Sequence, residues 1–137
     1  MTAGTTVVSL DTRKRGRKLS GPGVACMAFD LTIGTGDLEA DDILEAGYVP
    51  AGVTVIAFLV TTTALDSDGT PIVTFDIQLG TTSLISASTQ AQLGGSDLIP
   101  VVPTTTTAPT VVRFKTITAP TAAQAGTARI KALYFSA

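Results

Sequence analysis

The sequence predicts an all-β fold: a two-layer antiparallel β-sandwich, jelly-roll-like, with an extended N-terminal arm. Three observations carry this expectation. The apolar residues are mostly Val, Ile, Leu and Ala mixed with many Thr, and β-branched side chains suit the pleat of a strand better than the crowded turns of a helix. Where the apolar pattern is clear its period is two, as at Val73, Phe75, Ile77 and Leu79, which alternate with Thr74, Asp76 and Gln78. Turn residues recur at short intervals between such runs, as they do in sandwiches and small barrels.

The elements follow in order. Residues 1–23 form the arm: residues 13–18 read Arg13, Lys14, Arg15, Gly16, Arg17, Lys18, and Gly21, Pro22 and Gly23 then supply a helix-breaking hinge. The sandwich domain takes residues 24–137. Strands are expected near 24–33, 41–48, 52–62, 71–79, 97–102, 111–118 and 126–136, and Val7 to Leu10 would make an eighth if it joins them. Asp66, Ser67, Asp68 and Gly69 form a turn, from which we expect 52–62 and 71–79 to be antiparallel neighbours joined by a hairpin-like connection. The polar face of 71–79 is expected to be wet. The stretch 83–93 is less regular, and the spacing of Leu84, Ala87, Ala91 and Leu93 fits one or two helical turns before Gly94 and Gly95. Each half-apolar sheet must cover its inner face with another, so seven or eight strands imply two layers.

Composition bounds the function. The chain has 137 residues, 45% of them hydrophobic and 15% charged, enough for one folded domain and far from a disordered composition. The longest apolar run, Val53 to Val60, falls well short of the roughly 20 residues of a membrane-spanning helix, and no basic cluster precedes an apolar core at the start, so we expect neither membrane association nor a secretory signal. The single cysteine, Cys26, is expected to be a small buried hydrophobe, inert and suited to a reducing cytoplasm. The net charge of −2 hides an asymmetry: after Cys26 there are ten acids against Arg113, Lys115, Arg129 and Lys131.

Catalytic chemistry is a record of absences. There is no His, which removes Ser-His-Asp triads, Cys-His pairs and imidazole metal sites. No phosphate-binding glycine loop occurs, and Gly34-Thr35-Gly36 is too short to count. The acids Asp37, Glu39, Asp41, Asp42 and Glu45 read as a solvated loop and the polar face of a strand rather than a calcium site, and Asp66 and Asp68 as turn formers. No cofactor, metal or small-molecule substrate is expected, and the chain reads as a non-enzyme. With no Trp and only Tyr48 and Tyr134, a stacking platform for sugars is missing. The arm's Arg13, Lys14, Arg15, Arg17 and Lys18 could dock on an acidic protein surface or neutralise nucleic-acid phosphates without reading sequence, or stay solvated. No interleaved aromatics support base stacking.

Several segments, taken in order, resemble small structural proteins of tailed-bacteriophage heads. They are Phe29-Asp30-Leu31-Thr32-Ile33, the run from Gly36 to Glu45, the run from Val49 to Val55, and Thr74-Phe75-Asp76-Ile77-Gln78-Leu79-Gly80. The Ser/Ala/Thr-rich stretch to Gly94 and Gly95, residues 119–130, and Lys131-Ala132-Leu133-Tyr134-Phe135 complete the series. The likeness covers roughly residues 28–136 and rests on the order of the pieces. It implies a jelly-roll cement or decoration protein on an HK97-type shell, bridging neighbouring major capsid protein subunits and stabilising them. It further implies self-association as a dimer or trimer, assembly in the host cytoplasm and residence on the virion surface. The basic arm lies outside the shared pattern and is expected to contact the capsid. Two other readings stay open: a trimeric receptor-binding or fibre-base domain of a phage tail, and a capsid protein that contacts nucleic acid through its arm.

Overall fold

A computed structural model describes residues 23–136. Among these residues eight strands follow one another: β1 (Ala25–Ile33), β2 (Ile43–Val49), β3 (Val53–Thr62), β4 (Thr74–Leu79), β5 (Thr82–Ser88), β6 (Gly95–Thr105), β7 (Thr110–Thr118) and β8 (Gly126–Ser136). Single 3-10 turns occupy Thr35–Asp37 and Gln90–Gln92. The strands make two four-stranded sheets, ordered β1-β8-β3-β6 and β2-β7-β4-β5, and every pairing is antiparallel. The two sheets stack as a sandwich in which the chain passes repeatedly from one layer to the other. That order is a jelly roll, as expected.

The layers close over one core. Phe58, Val55 and Val60 of β3 and Ile130 and Ala132 of β8 meet Phe75 and Ile77 of β4 and Val112 and Phe114 of β7, all essentially without solvent contact. Phe75 lies opposite Thr116 and Phe114 opposite Ile77, so the two rings are diagonal neighbours on the inner face. They stack with centroids 4.6 Å apart and planes at 16°. Most pairings join strands distant in sequence; the exception is β4 with β5, a tight hairpin in which Leu79 faces Thr82 and Gly80 takes φ +67°, a conformation that suits glycine.

Four expectations need correction. β3 and β4 are not neighbours: they lie in opposite sheets. The turn at Asp66 does not fold the chain back on itself, because its carboxylate is bound to a different connector. Oδ1 accepts the N–H groups of Asp68 and Ala122, and Oδ2 those of Ile72 and Thr121. Asp66 is buried and ties the β3–β4 crossing to the β7–β8 connector. Burial pushes its carboxyl up, but the N–H donors of Ile72, Ala122, Asp68 and Thr121 outweigh that and hold it lowered to about 2.

The second correction is β5. Residues 82–88 are a strand, and only Gln90–Gln92 makes a turn of helix. Pairing with β4 overrides a weak helical spacing, with help from Asp76, whose Oδ1 accepts the Ala87 N–H at 2.7 Å while Ala87 sits at φ +50°. Third, the polar face of β4 is not wet, since Asp76 and Gln78 are buried. β4 is an inner strand, and Ser83 of β5 reaches over it, donating its hydroxyl to Asp76 Oδ2 and accepting from Gln78 Nε2.

The fourth is Cys26, which is exposed. It faces Leu133 across the β1–β8 pair on the outer side of the sheet, because the neighbouring Met27 and Phe29 take the inner side. The apolar neighbours that suggested burial belong to both faces of an edge strand.

Candidate interaction surfaces

The acidic residues are placed by backbone caps and ion pairs. After β1, Asp37 Oδ2 accepts the Gly34 N–H at 2.8 Å and closes the turn Thr35–Asp37. Asp42 Oδ2 accepts the Glu39 N–H. Asp41 pairs with Lys115 at 3.8 Å, and Glu45 with Arg113 at 3.6 Å. Asp68 accepts the Thr70 N–H. Among the described residues no three of His, Cys, Asp and Glu converge closely enough to hold a metal ion, and no helix is long and apolar enough to cross a membrane. The arm residues Arg13, Lys14, Arg15, Arg17 and Lys18 lie outside the described residues.

Surface chemistry therefore falls to the two outer faces, and they differ. On the β2-β7-β4-β5 sheet, the register lines up Glu45, Arg113, Gln78 and Ser83 in one row and sets Lys115 beside Asp76 in the next. This is a face of hydrogen bonds and ion pairs, with Tyr48 exposed beside it. On the β1-β8-β3-β6 sheet, Cys26, Leu133, Ala57 and Pro100 form one outer row, and Ala28, Lys131, Leu59 and Leu98 form the next. Lys131 is the one charge in those two rows. Leu98 and the nearby Val102 are 55% and 77% exposed.

The apolar rows end at a polar one. Arg129 binds Asp30 through Nε at 2.7 Å and Nη2 at 3.2 Å, next to a Thr61–Ser96 hydroxyl pair. The bond from Arg129 holds Asp30 below the usual carboxylate range, against slight desolvation and with help from the charges of Arg129 and Lys131. An antiparallel sheet with one solvated face normally alternates apolar and polar residues, and this sheet is apolar on both sides over two rows.

Sequence reasoning did not find this face. Its signal is in the run Val53 to Val60, apolar at nearly every position, which is the pattern of a strand covered on both sides. Reading that run as a half-buried strand hides the second face.

No protein-family model matches the sequence, and no curated protein matches it. Solved structures do. A chain of the cyanophage Pam1 capsid asymmetric unit superposes with a TM-score of 0.76 at 19% identity, over 100% of this chain and 97% of that one. A chain of the Ralstonia phage GP4 capsid gives 0.74 at 22% identity, over 84% and 85%. A chain of the acid-stable capsid of the Helicobacter pylori bacteriophage KHP30 gives 0.54 at 10%, over 84% and 93%. The fold of this chain is thus one found in bacteriophage capsids.

Proposed function

We propose that this chain is a non-enzymatic structural protein of a bacteriophage capsid, bound to the outside of the shell, where it cements or decorates neighbouring major capsid protein subunits. The observation that carries this reading is the match to the Pam1 capsid chain, which covers 100% of this chain and 97% of that one. The surface supports it too. The apolar rows around Leu98 and Leu133 suit desolvation against a protein lattice, while on the other outer face Glu45 pairs with Arg113 and Ser83 bonds Asp76 and Gln78. The arm residues Arg13, Lys14, Arg15, Arg17 and Lys18 would add salt-sensitive contacts to acidic protein surface, each contributing about 0–1 kcal/mol.

A cement protein spans several subunits at once, so its contacts act together only when the lattice presents them at the right spacing. The test is binding to assembled shells and, separately, to isolated capsid subunits. The expected result is preferential binding to shells, later rupture of decorated particles on heating, and loss of retention for Leu98→Glu with Val102→Glu. Equal binding to shells and free subunits would refute the cementing role.

A further inference from the structure

The connectors of the sandwich differ in how they are held. With one exception, each connector longer than a tight turn buries at least one side chain: Leu38 after β1, Leu65 and Val73 after β3, Ala91 after β5 and Thr106 after β6. The exception is residues 119–125, between β7 and β8, none of which is buried. The segment reads Ala119, Pro120, Thr121, Ala122, Ala123, Gln124, Ala125, without a charge or a large apolar side chain. Apolar burial therefore does not hold it, and its attachment falls to hydrogen bonds, the mark of a segment that can open locally.

Those bonds converge on three consecutive residues. The Thr121 and Ala122 N–H groups donate to Asp66 Oδ2 at 3.2 Å and to Oδ1 at 3.1 Å. Ser67 donates its N–H and its hydroxyl to the Ala122 carbonyl, and the Gln124 N–H donates to the Leu65 carbonyl at 3.0 Å. Just outside the segment the chain is fastened elsewhere: the Thr118 N–H donates to Thr74 Oγ1, the Thr127 N–H to Thr63 Oγ1, and the Thr63 N–H to the Thr127 carbonyl. Both ends are thus fixed independently of Asp66. Among the described residues, the stretch between them bonds only to Leu65, Asp66 and Ser67.

Beneath the segment lies core. Leu65 has no solvent exposure, and its Cδ2 would stand 2.9 Å from a Cβ placed on Gly126, so the C-terminal end of the segment closes over it. Asp66 is buried beside it with its carboxylate evenly divided. Each oxygen takes one N–H from its own connector, that of Asp68 or Ile72, and one from the segment, that of Ala122 or Thr121. A carboxamide in that place has one acceptor oxygen, and its NH2 group would face two N–H donors. Either orientation leaves one donor of the segment unpaired.

We propose that residues 119–125 are a strap latched by the Asp66 carboxylate, which lifts from the sandwich as one unit and uncovers Leu65 while both sheets stay paired. The fastenings at Thr118 and Thr127 are its hinges. Two of the strap's donors share one anion, so losing that charge weakens both bonds together. Asp68 is the one other titratable group on the two connectors, and its carboxylate is engaged by the Thr70 N–H. The strap belongs to the free protein and does not rest on the capsid reading.

The test is native-state hydrogen exchange on the full chain, read amide by amide across a low-urea series. The expected result is that Thr121, Ala122 and Gln124 share one opening constant and exchange roughly tenfold or more faster than the paired amides of β7 and β8. Their exchange should depend little on urea, since a small opening exposes little surface. Asp66→Asn should speed the strap amides by roughly a further tenfold, beyond any change in the sheets, because a buried donor loses its acceptor. In a Cys26→Ser chain carrying Leu65→Cys, thiol labelling should keep pace with strap opening rather than wait for global unfolding. Strap amides that exchange only together with the sheets would overturn the proposal, as would three unrelated opening constants. So would an Asp66→Asn chain whose strap and sheet amides speed up by the same factor, or labelling that waits for unfolding. The wild-type exchange decides the point even where Asp66→Asn or Leu65→Cys fails to fold.

Discussion

The Phe75–Phe114 pair is where this fold can be tested most directly by stability. The rings sit on the inner strands of the β2-β7-β4-β5 sheet, at 0% and 1% exposure, and are stacked at 4.6 Å. Replacing either with Leu keeps an apolar, unbranched-at-Cβ side chain but removes ring carbons from a closed core. Each single change should cost about 1–3 kcal/mol from lost transfer energy and residual cavity. A stacked pair contributes about 0.5–1.5 kcal/mol beyond its buried area, and each single substitution already forfeits that part. Phe75→Leu with Phe114→Leu should therefore cost less than the two single losses together, by about 1 kcal/mol. Urea unfolding at constant slope would measure all four proteins, with melting temperatures falling by roughly 4 °C per kcal/mol. A coupling below about 0.3 kcal/mol, the level of independent sites, would refute the argument, because diagonal neighbours in the observed register cannot avoid each other.

Three further outcomes are expected. Asp66 has its folded pKa depressed to about 2 from 3.8, so its stabilising contribution is present above pH 4 and is lost as pH falls toward 2; the melting temperature of Asp66→Asn should start lower at pH 6 and lose the part of the acid slope between pH 4 and 2 that the wild-type protein shows, and parallel curves would contradict this. Gly126→Ala would drive a Cβ into the Thr63 hydroxyl, with Leu65 Cδ2 at 2.9 Å, and should cost about 1–3 kcal/mol by overpacking, read as a lower urea midpoint. Cys26 in the free native protein should react with a thiol reagent about as fast as an unstructured peptide cysteine, since it is exposed; labelling that waits for unfolding would place the thiol in an interior the fold does not give it.

Local pattern located strands well and pairings badly. Val73 to Leu79 announces β4 through period two, and the Val/Thr-rich runs announce β3, β7 and β8, because the side chains that fill the core are written every second residue. What the pattern lacks is the partner of each strand. The Asp66 turn looked like a hairpin because its four residues are the same whether the chain folds back or crosses to the other sheet; the difference lies in Thr121 and Ala122, some 55 residues later, whose N–H groups the carboxylate takes. β5 was hidden for a related reason. Its pairing with β4 depends on Ser83 and Ala87 meeting the buried Asp76, and a polar residue in an alternating pattern reads as solvent-facing until a neighbour is known to cover it. Cys26 shows the converse error, since apolar neighbours on both sides of an edge strand say nothing about which side the residue itself takes.

The same limit explains why the surfaces were less legible than the fold. A core declares itself through residues that must be apolar, but a contact surface is defined by what its neighbours leave uncovered. Leu98, Pro100 and Leu133 come from strands that adjoin only through β3, and no window of sequence contains them together. The buried acids Asp66 and Asp76 are spent on backbone N–H groups and the Ser83 hydroxyl, and the outer apolar rows are what the described residues leave uncovered. Most of the pairings join distant segments and each inner strand is held by two neighbours, so the body presents its apolar rows as fixed geometry. Rigid presentation lowers the ordering cost of any association those rows make.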